Sequence, residues 1–585
     1  MDGFYGRILK INLSGQTFSV EPVADEICEK YFGGKGLAAH LLTELNPPGV
    51  DPLAPENCLI FNTGPLGGST IWGSCRYGVY TKSPLTGIFA ESYCGGRTPD
   101  VIDAAGFDAI VIQGKSQQPA VLTVHPEGVD FHDAGDVWGL ETYAAEDALK
   151  ARFARPEYRK KGAVVIGPAG ENQVRFAVIE NDYWRSAGRT GVGTVMGAKN
   201  LKGILFTGNR KREHADEQAV KKFSKNFMAE FKDHAAANAY RTLGTPMLVK
   251  LTNQAGAFPT RYWTQGSYEN WEKISADALI EKMNPKPHGC GKCFMLCGQL
   301  GTVKEGPHKG LKIEGPEYET IYAFGGLCLI DDIYEIAYLN DVCDRLGMDT
   351  ITAGNLCGLA IEAARRGKIE SDLDYGDAKG IADLLHLIAR KEGIGAVLAE
   401  GIRFAAKKWD LEDIAVHVKG MEPAGYDPRS LKGMGLAYAT SDRGACHLRA
   451  TFYKPELAGM IPPEQIEGKA EMFLEFEDRL TIMDTLVFCR FYRDFYLWDV
   501  LEDIIPKVTG LPADKETLRK KAKAIATVIR KFNLREGMTA RDDCLTPALH
   551  RPQTDSGMVI TESELNTMLK EYYELHGWDE NGVPR

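Results

Sequence analysis

The chain has 585 residues, with 69 Lys and Arg against 80 Asp and Glu, so its formal net charge is −11. At about 150 residues per domain, this length predicts three or four domains around a large buried core. Apolar residues make up 44% and charged residues 25%, which excludes a disordered, collagen-like or coiled-coil chain. The acidic balance argues against a nucleic-acid-binding protein, because such a protein needs a basic face.

The N-terminus predicts a cytoplasmic location. It reads MDGFYGRILKINLSG and lacks the basic start and apolar stretch of a signal peptide. No run reaches the ~20 apolar residues that span a bilayer, so we expect no membrane insertion. The 13 Cys are odd in number and mostly scattered, unlike the disulfide framework of a secreted protein.

The first part of the chain has the composition of a sheet domain. Short apolar runs separated by Gly and Pro predict strands at Arg7–Leu13, Cys58–Thr63, Tyr77–Thr81, Ala109–Gln113, Ala120–Val124 and Gly203–Thr207. A helix is predicted at Val137–Arg152. The charged stretch Gly208–Gln218 is predicted to be a linker that ends this region.

Helical periodicity dominates after this linker. Apolar residues three and four apart predict helices at Ala382–Glu392, Val397–Trp409 and Leu518–Asn533. A second break falls near Asp413–Met421. We therefore predict an α/β (α+β) protein, with an N-terminal sheet domain at residues 1–208 and two mostly helical domains at 209–416 and 417–585.

One tight cysteine cluster indicates a metal site. The sequence CGKCFMLC places Cys290, Cys293 and Cys297 in the pattern C-x2-C-x3-C, in a loop rich in Pro and Gly. Three thiolates at this spacing suit an iron–sulfur cluster or a zinc ion with one further ligand from elsewhere. The iron–sulfur cluster is favoured over zinc and over three incidental cysteines. Spacing leaves the fourth ligand open among Cys328, Cys343, Cys357, Cys446, Cys489 and Cys544.

Two further segments carry groups suited to acid–base chemistry. Glu314–Glu319 reads EGPEYE, and a carboxylate near a metal centre can act as a general base. The same pattern is also typical of a solvated helix N-terminus. His447 in GACHL is an acid–base group, a metal ligand or a packed histidine.

Together, these motifs resemble the tungsten-containing aldehyde:ferredoxin oxidoreductase family over essentially the whole chain. The segments that carry the resemblance are RYGVYTKSPLTG, GPAGEN, GRTGVGTVMGAKNLK, CGKCFMLC, EGPEYE, DRLGMDT, YDPRSLKGMGLAYAT and RGACH. The resemblance implies an N-terminal domain of two β-sheets followed by two helical domains. It also implies a tungsten bis-pterin cofactor, a [4Fe–4S] cluster and Mg²⁺ bridging the pterin phosphates, at the domain junction.

The resemblance assigns roles to individual residues. Cys489 becomes the fourth cluster ligand, beside the three cysteines of CGKCFMLC. The implied pterin contacts are Arg76, Gly95, Gly96, Arg185, Asp344, Asp349, Asp484 and Arg449. Glu319 and His447 would face the tungsten with Tyr318 beside them. His447 would then polarise an aldehyde carbonyl and Glu319 would take a proton.

The implied reaction is oxidation of an aldehyde to a carboxylic acid, with electrons passing to ferredoxin or another electron-transfer subunit. Val487 and Phe488 replace the family's G-L before Cys489, which keeps an aromatic acyl-CoA ring reductase on the same scaffold as the alternative. A non-catalytic metal-binding or electron-transfer subunit is less favoured. Residues 338–341 lack the E-x-x-H of a metal-bridged dimer, so that kind of oligomer is not implied.

The substrate is the least defined part of this prediction. The aromatic run Phe491–Trp498, and Phe452 and Tyr453 after His447, either line a wide pocket for bulky aldehydes or belong to the core. The core interpretation is favoured.

Overall fold

The computed structural model describes all 585 residues, and the chain divides into two compact units. Unit 1 comprises Met1–Ala237, Gly289–Met295 and Asp478–Gly537. Unit 2 comprises Asn238–His288, Leu296–Glu477 and Met538–Arg585. Each unit therefore combines three separate segments of the chain. The division into domains at residues 208 and 416 stays a prediction.

Unit 1 contains two six-stranded sheets. The strands of the first sheet are β1 (Arg7–Asn12), β2 (Thr17–Pro22), β3 (Leu59–Asn62), β4 (Tyr77–Lys82), β5 (Phe89–Cys94) and β6 (Ala109–Gln113). They lie in the order β2-β1-β6-β3-β4-β5. Strands β1 and β6 are parallel, and the other neighbours are antiparallel.

The second sheet follows in the sequence. Its strands are β7 (Ala120–His125), β8 (Gly128–Asp133), β9 (Lys161–Val165), β10 (Ile179–Asn181), β11 (Arg185–Ala187) and β12 (Leu201–Thr207). They lie in the order β11-β10-β9-β12-β7-β8, with β12 and β7 parallel. The predicted fold class, two sheets followed by helical regions, is confirmed.

Alternating side chains hold the two sheets together. In β1, Leu9 and Ile11 enter one apolar cluster, while Ile8 enters a second cluster on the opposite face. Leu122 and Val124 of β7 join the same cluster as Leu9. Because successive strand residues point to opposite faces, these positions pack one sheet against the other around a shared apolar layer.

Seven helices accompany the sheets in the first segment of unit 1. They are α1 (Asp25–Tyr31), α2 (Gly34–Leu45), α3 (Pro99–Ala104), α4 (Thr142–Arg152), α5 (Pro168–Glu171), α6 (Val192–Ala198) and α7 (Glu217–Phe231). Leu37 and Leu42 of α2 pack on the outer face of the first sheet with Ile525 and Ile529. The predicted helix at Val137–Arg152 begins five residues late, because residues 135–139 form turns.

The middle of the chain is mostly helical. Its helices are α8 (Ala235–Leu243), α9 (Met247–Gln254), α10 (Ala276–Met283), α11 (Tyr318–Thr320), α12 (Ile333–Leu346), α13 (Thr350–Arg365), α14 (Ala378–Arg390), α15 (Gly393–Leu398), α16 (Ile402–Trp409), α17 (Lys432–Thr440), α18 (Tyr453–Leu457) and α19 (Lys469–Thr485). A small antiparallel sheet of β13 (Lys286–His288), β14 (Gly298–Thr302) and β15 (Lys312–Glu314) interrupts them.

Three helices complete the chain, α20 (Trp498–Thr509), α21 (Lys515–Arg535) and α22 (Glu562–His576). The predicted helix at Val397–Trp409 is wrong as a single element. Gly401 has φ of +86° and separates α15 from α16. The apolar residues keep their helical spacing across this break, so the sequence pattern does not indicate where the helix ends. None of the helices combines the length and apolar character needed to cross a membrane.

Candidate functional site

The predicted site residues fall into two groups, one in each compact unit. Unit 1 holds Arg76, Gly95, Gly96, Arg185, Cys290, Cys293, Asp484 and Cys489. Unit 2 holds Cys297, Tyr318, Glu319, Asp344, Asp349, His447 and Arg449. Each group is described within its own unit.

In unit 1, the loop before β4 connects two cysteine-bearing segments. The backbone N–H of Gly73 donates to the carbonyl of Lys292 at 3.0 Å. The carbonyl of Gly73 accepts from the N–H of Cys489 at 2.9 Å. The segment of Cys290 and Cys293 and the segment of Cys489 are therefore both fixed to one loop, although almost two hundred residues separate them in sequence.

Arg76 ends this loop and places a positive charge beside the cysteines. Its Nη2 atom lies 3.3 Å from the Sγ atom of Cys489. Burial alone would lower the pKa of Arg76, but the negative charges of Cys489 and Cys290 raise that pKa well above its usual value. The guanidinium therefore stays charged and favours thiolate forms of both cysteines.

Gly95 and Gly96 allow the backbone to approach Cys290 closely. The N–H of Gly96 donates to the Sγ atom of Cys290 at 3.1 Å. A Cβ atom at Gly95 would lie 2.7 Å from the same sulfur and 3.1 Å from Nη1 of Arg76. Gly96 has φ of +104°, and a Cβ atom there would lie 2.2 Å from Oδ2 of Asp182. Gly95 is therefore required because a side chain would collide with Cys290, and Gly96 is required for the same kind of reason and for its positive φ.

Unit 1 has a further cysteine, Cys75, next to Arg76 in the same loop. Cys75 is buried, and its Sγ atom lies 3.7 Å from the carbonyl oxygen of Gly73. Hydrogen bonding with Cys75 lowers the pKa of Cys290 and of Cys489, and the same interactions raise the pKa of Cys75.

Cys293 has a phenol as its neighbour. The hydroxyl of Tyr492 lies 3.6 Å from Sγ of Cys293 and accepts a hydrogen bond from the N–H of Phe294 at 3.0 Å. Tyr492 packs within an aromatic group in which the rings of Phe227 and Tyr496 are 4.7 Å apart. This part of the run Phe491–Trp498 belongs to the interior of unit 1, as the core interpretation expects.

The donor set fits an iron–sulfur cluster. No three His, Cys, Asp or Glu side chains meet around a point suited to a single metal ion. A four-iron cluster distributes its cysteines over separate irons, so its ligands need not meet at one point. Partial exposure of Cys290 and Cys293, the neighbouring cation and the lowered pKa of Cys290 are features of ligand cysteines. By contrast, burial raises the pKa of Cys357 to about 12.

Two other predicted residues of unit 1 have defined electrostatic partners. Hydrogen bonding with Cys75 is the main cause that lowers the pKa of Cys290, and the positive charge of Arg185, on β11, lowers it further. The carboxylate of Asp484 forms an ion pair with Arg490 at 2.6 Å. Asp484 is buried, so this ion pair compensates part of its desolvation.

In unit 2, Glu319 and His447 lie next to each other. Pro316 precedes the short helix α11, and Glu319 projects from its first turn. Oε1 of Glu319 lies 3.6 Å from Nε2 of His447, and the side chains are 19% and 12% exposed. Oε2 of Glu319 accepts a hydrogen bond from the N–H of Gly425 at 2.9 Å. The two groups from distant segments thus form an acid–base pair that is largely but not fully buried.

Tyr318 acts on this pair through the backbone. Its hydroxyl donates to the carbonyl of Gly425 and lies 3.1 Å from Oγ1 of Thr252. Burial raises the pKa of Tyr318 well above its usual value, so the phenol keeps its proton. Tyr426 packs beside His447 with ring centroids 5.8 Å apart and stacks on Tyr453 at 3.9 Å.

The DRLGMDT segment joins α12 to α13. Asp344 accepts a hydrogen bond from Nδ2 of Asn340 at 2.8 Å, within α12. Asp349 is the N-cap of α13 and accepts from the N–H of Thr352 at 3.1 Å. Arg449 is buried. Pterin contacts of these three residues stay a prediction.

Sequence reasoning missed Cys75, Gly425 and Tyr492. Cys75 was detectable as the neighbour of Arg76, one of the residues assigned to the cofactor. Gly425 and Tyr492 gave no signal, because a backbone N–H and a phenol acquire their partners through the tertiary fold.

Two family models cover most of the chain. The model of the N-terminal domain of aldehyde ferredoxin oxidoreductase matches residues 8–208. The model of domains 2 and 3 of the same family matches residues 222–585.

Individual relatives extend this likeness over the full length. The tungsten-containing aldehyde ferredoxin oxidoreductase of Pyrococcus furiosus is 35% identical over 601 residues, covering 100% of this chain and 98% of the relative. An aliphatic sulfonate oxidoreductase, WOR-like subunit, from the same organism is 29% identical and covers 100% of this chain and 96% of the relative. Among solved structures, the active site complex BamBC of benzoyl coenzyme A reductase with 1,5 dienoyl-CoA matches with a TM-score of 0.85. Its identity is 23%, and the match covers 100% of this chain and 96% of that chain.

Proposed function

Because this chain belongs to the aldehyde ferredoxin oxidoreductase family, we propose that it oxidises an aldehyde to a carboxylic acid. The family is tungsten-containing, and its members are oxidoreductases. The proposed reaction converts an aldehyde and water into a carboxylic acid, two protons and two electrons. The electrons would leave through an iron–sulfur cluster to ferredoxin or to another electron-transfer subunit.

The pairing of Glu319 with His447 is the observation that carries this proposal. Aldehyde oxidation needs a hydrogen-bond donor at the carbonyl oxygen and a base for the proton of the attacking oxygen. The two side chains are 3.6 Å apart and partly exposed, so both groups are available at one place. An inactive binding protein would have no need to keep them together.

Each residue of the pair has a distinct task in this scheme. His447 donates a hydrogen bond from Nε2 to the carbonyl oxygen and draws electron density from the carbon. Glu319 accepts the proton of the attacking water oxygen at Oε1. The N–H of Gly425 holds the other carboxylate oxygen, and Tyr318 in turn holds the carbonyl of Gly425. Tyr318 is thus a positioning residue.

A tungsten pterin, when bound, supplies a metal that takes up the two electrons of the aldehyde. In unit 1, the residues that would bind pterin and its phosphates are Arg76, Arg185, Asp484 and the backbone of Gly95 and Gly96. In unit 2, the corresponding residues are Asp344, Asp349 and Arg449. Guanidinium groups and backbone N–H groups suit phosphate, and Mg²⁺ would bridge the phosphates.

The cysteines of the C-x2-C-x3-C motif, with Cys489, would hold the [4Fe–4S] cluster. Cys290, Cys293 and Cys489 belong to unit 1, and Cys297 follows them in the same motif. The thiolate-stabilising contacts of Arg76 and Gly96 support this assignment. Partial exposure of Cys290 and Cys293 would give an electron carrier an approach to the cluster.

The second candidate is reduction of an aromatic acyl-CoA ring on the same cofactor. The likeness in fold to benzoyl coenzyme A reductase and the replaced residues Val487 and Phe488 keep it in consideration. Aldehyde oxidation is favoured because the aldehyde-oxidising relatives are 35% identical, whereas the structural neighbour is 23% identical and shows the fold alone.

Metal analysis and a substrate comparison test the proposal. We expect anaerobically purified protein to contain tungsten and about four irons per chain. Aliphatic and aromatic aldehydes should then reduce an artificial acceptor such as benzyl viologen. Ring reduction of an aromatic acyl-CoA by the same preparation, with no aldehyde oxidation, would support the second candidate. Zinc without tungsten would contradict both.

A further inference from the structure

The hydroxyl of Tyr322 binds the backbone two residues before Gly425. Tyr322 lies on a π-helical turn, Ile321–Gly326, which continues α11. Its hydroxyl lies 2.7 Å from the carbonyl oxygen of Pro423 and accepts a hydrogen bond from Nδ2 of Asn355 at 2.8 Å. Because the amide of Asn355 occupies the acceptor side of the phenol oxygen, the proton of the phenol points to Pro423.

Tyr438, on α17, holds the residues on either side of Gly425. Its hydroxyl lies 3.0 Å from the carbonyl oxygen of Ala424 and 3.0 Å from that of Tyr426. Because a phenol has one proton, these two hydrogen bonds are three-centred or alternate. Tyr322 and Tyr438 are both 0% exposed, so water does not compete for the carbonyls that they bind.

The tyrosine rings also leave little space around Gly425. A Cβ atom there would lie 2.7 Å from Cγ of Tyr322 and 2.9 Å from Cε1 of Tyr318. Carbon atoms in favourable contact lie about 3.5–4.0 Å apart, so a side chain would displace the rings. The hydroxyl of Tyr318 donates to the carbonyl of Gly425 itself. Ring contacts and hydrogen bonds therefore fix the same short segment.

We propose that Tyr322 and Tyr438 are positioning residues for the base Glu319, on which they act through the backbone of residues 423–426. The four carbonyls of this segment accept hydrogen bonds from three buried phenols. The N–H of Gly425, within the same segment, donates to Oε2 of Glu319 at 2.9 Å. A carboxylate held at one oxygen presents the other oxygen in a fixed direction to the proton that it accepts. This inference rests on the base role of Glu319 in the proposed function.

The pH dependence of kcat/KM for aldehyde oxidation by the intact holoenzyme tests the inference. Tyr322→Phe and Tyr438→Phe each remove one hydroxyl and keep the ring. Because a hydrogen bond to a carboxylate favours its charged form, a less firmly held Gly425 should move the acidic limb of the profile upward by about half a pH unit. We expect kcat to fall about three- to tenfold and KM to stay within about twofold. Tyr334→Phe is the matched control, because Tyr334 is a buried phenol of unit 2 that donates to the carbonyl of Lys282 at 3.0 Å.

A second readout, independent of turnover, is hydrogen exchange of the segment itself. Peptides covering residues 421–427 should exchange faster in Tyr322→Phe and Tyr438→Phe than in the wild type and in Tyr334→Phe. Unchanged exchange would overturn the inference. Faster exchange with a wild-type pH profile and wild-type kcat would also overturn it, because the phenols would then hold the segment without serving the base.

If one of the two variants fails to fold or loses tungsten, the other decides. A wild-type protein that contains tungsten but oxidises no aldehyde would contradict the proposed function instead. Hydrogen exchange would still show in that case whether Tyr322 and Tyr438 hold the segment of Gly425, so the two failures are distinguishable.

Discussion

Glu319 shows how a single residue depends on its tertiary partners for a function. In the sequence, EGPEYE also fits an ordinary helix start, and α11 does begin there. The fold adds the N–H of Gly425 on one carboxylate oxygen and His447 near the other. The helix start therefore positions the carboxylate, and the functional and structural interpretations of this segment are compatible.

Replacing the carboxylate of Glu319 tests the base assignment. We expect Glu319→Gln to lower kcat for aldehyde oxidation about 10²- to 10⁴-fold, because an amide cannot accept the proton. Tungsten and iron content should match the wild type. Glu317→Gln is the control, since the carboxylate of Glu317 bonds to the hydroxyl of Thr245 and an amide oxygen can replace it. Wild-type turnover in Glu319→Gln would contradict the assignment.

The buried side chain of His417 makes the stability of the fold depend on pH. Burial, together with the charge of Arg403, lowers its pKa from 6.5 to about 4. A histidine whose pKa is lowered on folding contributes stability that is present above pH 6.5 and is lost as the pH falls towards 4. The loss reaches at most about 1.4 kcal/mol per pH unit.

We therefore expect His417→Gln to show a weaker decline in unfolding temperature than the wild type between pH 6.5 and pH 4. Differential scanning calorimetry at several pH values measures this. The exposed His234→Gln variant should follow the wild-type curve. Parallel curves for His417→Gln and the wild type would show that the burial of His417 does not govern acid stability.

At the scale of elements, the DRLGMDT segment combines a helix end and a helix start. Gly347 has φ of +76° and ends α12, and Asp349 then caps α13 through the N–H of Thr352. An N-cap contributes about 1 kcal/mol to stability, and Asn serves nearly as well as Asp. The predicted pterin contact of Asp349 would instead require the charge.

Two substitutions at Asp349 separate these roles. Asp349→Ala should lower stability by about 1 kcal/mol because the cap is lost. Asp349→Asn should keep the stability but lose tungsten if the carboxylate binds the cofactor. Thermal unfolding and metal analysis of both variants decide the matter. Normal tungsten content in Asp349→Asn would assign Asp349 to capping alone.

The elements differ in how far their sequence predicts them. Ala109–Gln113 is a strand with the predicted bounds, because both faces of its sheet are apolar and the run is bounded by turns. The predicted helix Leu518–Asn533 is observed as Lys515–Arg535, since its polar and apolar sides alternate at helical spacing. Helical spacing of apolar residues does not predict the break at Gly401, because its positive φ ends the helix without changing the apolar pattern.

For the whole molecule, sequence motifs predicted the family and the fold better than the contacts within the site. Cys290 and Cys489 are almost two hundred residues apart, and local spacing contains no information on their distance. The resemblance supplied Cys489, and the fold shows that Cys489 and the segment of Cys290 both bond to the loop at Gly73, while the N–H of Gly96 donates to Cys290. Such contacts depend on how three chain segments assemble into unit 1.

This assembly predicts that the proposed iron–sulfur cluster would stabilise unit 1. Arg76, Cys290 and Cys489 come from the first, second and third segments of that unit. A cluster that binds the folded state alone stabilises it by mass action, by about 4 kcal/mol when its concentration is a thousand times its dissociation constant. We expect anaerobic removal of iron to lower the unfolding temperature by about 5 °C or more.

Hydrogen exchange measured by mass spectrometry shows which segments lose stability when iron is removed. Peptides from residues 73–96, 289–295 and 484–492 should exchange faster after iron removal, since they carry the contacts of the cysteines. Peptides of α14, which belong to unit 2, provide the internal control. Restoring iron and sulfide should restore protection. Uniform loss of protection over the chain, or none, would show that the three segments hold together without the cluster.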